Sequence, residues 1–162
     1  MYKKNKLKLA VPFFLICSLF TYCQDNKTEK QDFVKSFFED VFINDKPLEL
    51  ISNKYRYKGS KIKSKDEANE MFKQYITYLR TEKKHLLKKD TRFKVENYNN
   101  SSMKDLWLFE RKERKNIFIV SVDNKIESYI LLNNSKIISL LYFRKGSDDP
   151  AYFIPYYVKQ EQ

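Results

Sequence analysis

Residues 116–146, NIFIVSVDNKIESYILLNNSKIISLLYFRKG, hold three runs of Ile, Val, Leu, Phe and Tyr separated by two short polar interruptions. Asp123-Asn124-Lys125 and Asn133-Asn134-Ser135 are rich in residues that tolerate left-handed backbone angles. Two such turns between β-branched runs predict an antiparallel meander. Side chains alternate along a strand, so Ile126, Ser128, Ile130 and Leu132 should share one face of the middle strand, and Glu127, Tyr129 and Leu131 the other. The third strand is apolar on both faces, with Ile137, Leu141 and Phe143 opposite Ile138, Leu140 and Tyr142. A strand of that kind is normally covered on both sides. Helices from this chain are expected over one face, and sheet curvature around a cavity or a second subunit over the other.

The segment before the meander supplies the helices. Phe33, Val34, Phe37, Phe38, Val41 and Phe42 recur at helical intervals behind a Thr28/Gln31 pair with capping-box spacing. Asn44-Asp45-Lys46-Pro47 breaks that helix, and Pro47 suits the first turn of a short second one carrying Leu48, Leu50 and Ile51. Tyr55-Arg56-Tyr57 reads as a brief strand. A third helix is announced by the Ser64/Glu67 capping box and is expected to run to about Lys88, with Ala68, Met71, Phe72, Tyr75, Leu79 and Leu86 on the face turned to the sheet. Strands are predicted near Arg92–Tyr98 and Asp105–Glu110, with residues 99–102 as a loop. A last strand at Tyr152–Val158 is confined to a sheet edge by Pro155. Helices followed by an uninterrupted antiparallel sheet make the class α+β.

The N-terminus has a different character. Lys3, Lys4, Lys6 and Lys8 precede an apolar run from Leu9 to Tyr22, the pattern of a bacterial secretory signal and shorter than the roughly 20 residues of a membrane span. Residues 1–23 are therefore set aside as a signal peptide, 24–30 as a linker, 31–158 as a single domain and 159–162 as a tail. Two outcomes are open at the cut. Leu19-Phe20-Thr21-Tyr22-Cys23 resembles the end of a lipoprotein signal, in which Cys23 is lipidated and tethers the chain to a membrane, but it departs from that pattern at Tyr22. Ordinary cleavage after Cys23 would instead leave Gln24 as the first residue.

Composition removes several function classes. Gly59 and Gly146 are the only glycines, too few for a phosphate-cradling loop. Cys17 and Cys23 both belong to the signal segment, which leaves the domain no disulfide, thiol nucleophile or Cys-based zinc site. The formal net charge is +11. Four of the 32 basic residues lie in residues 1–23, so the remainder carries 28 against 21 acids, or +7, spread along the chain. An exported chain with dispersed charge has no expected nucleic-acid partner. No His, Asp or Glu cluster has metal-ligand spacing, no Gly-x-Ser-x-Gly motif is present, and neither metal nor cofactor is expected.

In the order long helix, short helix, small strand, long helix, bent meander, residues 28–158 resemble the NTF2-like (cystatin-like) superfamily. The resemblance implies a cone of helices on a curved sheet, a pocket at its mouth and pairing of two copies through the sheet face. Some superfamily enzymes place a His in that pocket. The only histidine here is His85, which a helical wheel puts beside the apolar face of the third helix among lysines. Glu82 falls inside the apolar stripe and is the other candidate base. Tyr75, Trp107, Phe118, Tyr129 and Tyr142 are candidates for the lining of an apolar ligand pocket.

The expectation is an exported binding domain for a small apolar molecule or an envelope protein. An isomerase or dehydratase using Glu82 or His85 is the alternative. An inhibitor or immunity-type protein that masks an acidic partner is a further one.

Overall fold

A computed structural model describes residues 28–60, 62–105 and 108–159. The signal segment with Cys23, residues 24–27, Leu106 and Trp107 lie outside the described residues. The chain divides into the units Met1–Lys30 and Gln31–Gln162. In the described residues, helices precede a four-stranded antiparallel sheet and a small two-stranded one, an α+β arrangement.

Helix α1 runs through residues 28–42. Val34, Phe37, Phe38, Val41 and Phe42 are buried along it, as its spacing predicts, and Phe33 is half-buried. Gln31 Nε2 donates to the Val95 carbonyl at 2.9 Å. Helix α2, Leu48–Tyr55, starts directly after Pro47 and buries Ile51 and Tyr55. Tyr55 therefore closes a helix, and the expected strand is reduced to one parallel bridge between Arg56 and Ile137. Helix α3, Lys65–Glu82, is capped by Ser64, whose Oγ accepts from the Glu67 amide at 3.3 Å. Its buried residues are Ala68, Phe72, Ile76 and Leu79, so Ile76 takes the inward place expected of Tyr75. The helix stops six residues short of Lys88 and passes into a 3₁₀ turn, Lys84–Leu86, from which Leu86 is buried.

The sheet has the order β1-β2-β3-β4, with β1 at Lys94–Asn97, β2 at Ile117–Val122, β3 at Lys125–Asn133 and β4 at Lys136–Ser139. Asp123 and Asn124, at φ 49° and 59°, form the two-residue β2–β3 turn, and Asn134, at φ 54°, helps form the next. Such angles are tolerated by Asp and Asn and match the twist of a hairpin. The third run of the meander is not one strand. It breaks at Leu140, and β5, Leu141–Phe143, pairs instead with β6, Tyr152–Ile154, which ends before Pro155. Ser139 sits at the break: its Oγ lies within hydrogen-bond reach of the Leu141 and Ile154 carbonyls, at 2.8 and 2.5 Å, and accepts from the Leu141 amide at 3.2 Å. No strand forms at the described residues of Asp105–Glu110, where Phe109 makes a single parallel bridge to Ala151. Lys159, expected in a tail, is bridged to Ile62.

Two register shifts redistribute the side chains. Val120 pairs with Ser128 but Ser121 with Ile126, so Glu127 is the extra residue of a bulge; Leu131 pairs with Ser139 but Leu132 with Ile137, so Ile138 is another. A bulge reverses the alternation beyond it and re-aims the side chain it carries. Ile126 consequently packs with Tyr129 and Leu131, and Leu140 joins Ile137, contrary to simple alternation.

The sheet thus separates two apolar clusters. Phe118, Val120, Ile130, Leu132 and Ile137 meet the three helices. Ile117, Ile119 and Tyr129 meet Tyr98, Leu108, Phe109, Ala151 and Phe153. The second face is covered by this chain's own loop and β6, an arrangement that strand periodicity alone did not suggest. Each fully buried Val, Leu, Ile or Phe side chain among them contributes about 1.5–3 kcal/mol before its lost entropy is counted.

Candidate functional site

The end of α3, the start of β3 and the segment entering β5 enclose a groove of about 380 Å³. Tyr78, Leu79, Glu82 and Lys83 come from α3 and its first following residue; Ile126, Glu127, Ser128 and Tyr129 come from β3; Leu140, Leu141 and Tyr142 form the third wall. A broader and flatter hollow of about 490 Å³ lies on the outer side of α3 against Leu48, and it gathers no comparable set of convergent groups.

Local structure explains each wall. The bulge in β3 turns Glu127 away from the alternation of its strand and toward the residues that follow α3. There its Oε2 accepts from Lys83 Nζ at 3.2 Å and lies 3.0 Å from His85 Nε2. The Glu127 side chain is only 4% exposed, against 25% for Lys83 and 51% for His85. A carboxylate so far from water needs such partners, because an unpaired buried charge is costly. Both donors fall on Oε2, which leaves Oε1 as the oxygen they do not engage. Glu82, the last residue of α3, is exposed at the rim.

The aromatic wall comes from the other cluster. Tyr129 and Tyr142 stand nearly perpendicular, with centroids 5.5 Å apart at 86°, and both rings abut Phe109. Burial pushes the Tyr129 hydroxyl up to about 12, with smaller contributions in the same direction from Tyr142, Tyr98 and Asp105. It is therefore a neutral hydrogen-bonding group throughout the physiological range. Tyr142 and Tyr78 are both about half exposed and frame the opening.

Of the residues singled out from the sequence, Glu82, Tyr129 and Tyr142 meet in this groove. Phe118 does not, being buried in the helix-side cluster. Tyr75 packs at the margin of that same cluster, where burial raises its hydroxyl pKa. Trp107 lies outside the described residues. His85 does not line the groove; it stands behind Glu127. Glu127 itself went unnoticed as a functional residue. Its one sequence signal was a lone acid inside an apolar strand, and the bulge that aims it depends on pairing with β2.

Chemically, the groove offers aromatic faces, aliphatic walls, two carboxylates and one ammonium. Among the described residues no three His, Cys, Asp or Glu side chains converge as a metal site would require. A proton-transfer role for His85 is disfavoured by its place off the wall and by the engagement of Nε2 with Glu127. No protein-family model, no curated protein and no solved structure matches this chain.

Proposed function

We propose that this chain is an exported binding domain whose groove beside the end of α3 takes one small molecule with an apolar body. The observation that carries the reading is the convergence of Tyr78, Tyr129 and Tyr142 with Leu79, Leu140 and Leu141 around a volume of about 380 Å³. Concave apolar sites with few directed polar groups are the usual form of small-ligand pockets. Export rests on the lysine-flanked apolar run of residues 3–22. Binding is favoured over isomerase or dehydratase chemistry because His85 does not line the groove, Glu127 Oε2 is already shared between two donors, and Glu82 is exposed to water at the rim.

Two measurements test this. Titration of the full chain with the neutral fluorophore Nile red should give saturable uptake at one site, weakened several-fold by Tyr142→Ala. Uptake that is absent, or unchanged in that variant, rejects the groove. Intact mass of the chain from membrane and soluble fractions tests export: a species beginning at Cys23 with acyl mass, or one beginning at Gln24, supports it. A chain retaining Met1 and residues 2–23 in both fractions contradicts it.

A further inference from the structure

Resting on the reading of the groove as a small-molecule site, we infer that its ligand is an organic cation, an amine or quaternary ammonium group carried on an apolar body. Three features of the groove point to this class. The first is local charge. In a chain of net charge +11, the groove wall reverses the sign, with Glu82 and Glu127 facing a single ammonium, Lys83.

The second is the arrangement of rings. Tyr129 and Tyr142 meet edge to face at 86°, and the half-exposed Tyr142 and Tyr78 line the groove from the β5 and α3 sides. Aromatic faces carry negative quadrupole potential and attract a cation within about 6 Å of the ring centroid. Tyr78 and Tyr142, exposed on different walls of the groove, offer ring surface to a rounded group such as trimethylammonium.

The third feature is that this wall already holds an alkylammonium group. Lys83 Nζ sits 3.2 Å from Glu127 Oε2 at the edge of the same groove. The buried carboxylate thus already has its positive partner, and Glu82 at the rim supplies the negative charge that an incoming cation would meet. An anionic ligand of the same size would meet Glu82 while Lys83 is already engaged by Glu127.

The test uses one phenyl body with three head groups: phenyltrimethylammonium, its neutral isostere tert-butylbenzene, and benzenesulfonate. Each is titrated into the full chain in competition with Nile red. The cation should bind at least about fivefold tighter than the neutral isostere, in line with a partly desolvated cation–aromatic contact. Glu82→Gln, at an exposed position, should bring that ratio toward one. Tyr142→Leu should lower the ratio through loss of the ring and weaken Nile red as well.

Equal binding of cation and neutral isostere, or tightest binding of the sulfonate, overturns the cation assignment while Nile red uptake preserves the groove. If Nile red and all three probes fail to bind, the groove reading falls and the cation assignment with it.

Discussion

The Tyr55 hydroxyl donates to Asp40 Oδ2 at 2.6 Å, joining the last residue of α2 to the last turn of α1 across fifteen positions of sequence. Asp40 is buried and also receives Lys46 at 2.9 Å, Lys54 at 3.0 Å and the Asn44 amide at 3.0 Å. Burial alone would raise its pKa, but these donors outweigh it and hold the carboxyl well below the usual range, while burial and the same carboxylate push Tyr55 upward. A depressed folded-state pKa contributes stability that is present above the unfolded value, near 3.9, and is lost as pH falls below it. Asp40→Asn should therefore cost roughly 1–3 kcal/mol at pH 7 in urea unfolding and flatten the loss of stability below about pH 4. A variant as stable as the parent at pH 7 would contradict this.

Arg80 ties α3 to the end of α1. Its Nε donates to the Val41 carbonyl, an acceptor that the helix terminus leaves open, and its Nη2 to the Lys46 carbonyl in the following loop, each at 3.0 Å. Arg80→Ala should cost about 1–3 kcal/mol. Arg80→Lys should recover little of it, because one ammonium cannot span both carbonyls. Thermal unfolding of the pair gives the comparison, and full rescue by lysine would show that charge alone matters.

At the β2–β3 turn the backbone demands a left-handed residue. Asn124→Val, at φ 59°, should destabilise by about 1–2 kcal/mol, whereas Asn124→Gly should be neutral or slightly stabilising. Equal effects in denaturant midpoints would mean that the turn relaxes into another form.

Alkaline titration reports on Tyr129. Its folded-state pKa of about 12 exceeds the ordinary tyrosine value near 10. The associated stability is complete below pH 10 and is lost as pH rises from about 10 toward 12. Tyr129→Phe should lessen the decline over that interval and remove one late step from the ultraviolet tyrosinate titration. Persistence of that step would assign it to Tyr55 or Tyr156, whose hydroxyls are also raised by burial.

Local signals were legible where local physics decides. Six apolar residues of α1, the Ser64 cap and the Asp123-Asn124 turn all depend on neighbours within a few positions. The end of α3 was not legible, because Lys83 to Lys89 contains neither Gly nor Pro. The helix yields there while Lys83 and His85 engage Glu127, more than forty residues away. Glu127 in turn is aimed by a bulge that exists only in the pairing of two strands. The same cause misplaced Leu140 and Ile126. The candidate site was half visible: Glu82, Tyr129 and Tyr142 stood out by residue type, but their convergence is a property of the sheet register and of the break at Ser139.

That break gives the protein a hierarchy of opening. The β5–β6 ribbon belongs to the smaller apolar cluster, through the stacking of Phe153 on Phe109 at 4.8 Å, and is joined to the main sheet through Ser139. Its amides can therefore exchange with solvent through local fluctuations that leave the helix-side cluster intact. Since Leu141 and Tyr142 form a wall of the groove, occupancy of the groove and closure of the ribbon are thermodynamically linked. Deuterium uptake should be fastest in this ribbon among the strands and should slow there selectively when the groove is filled. Uniform protection across both sheets would instead make the protein a single cooperative block.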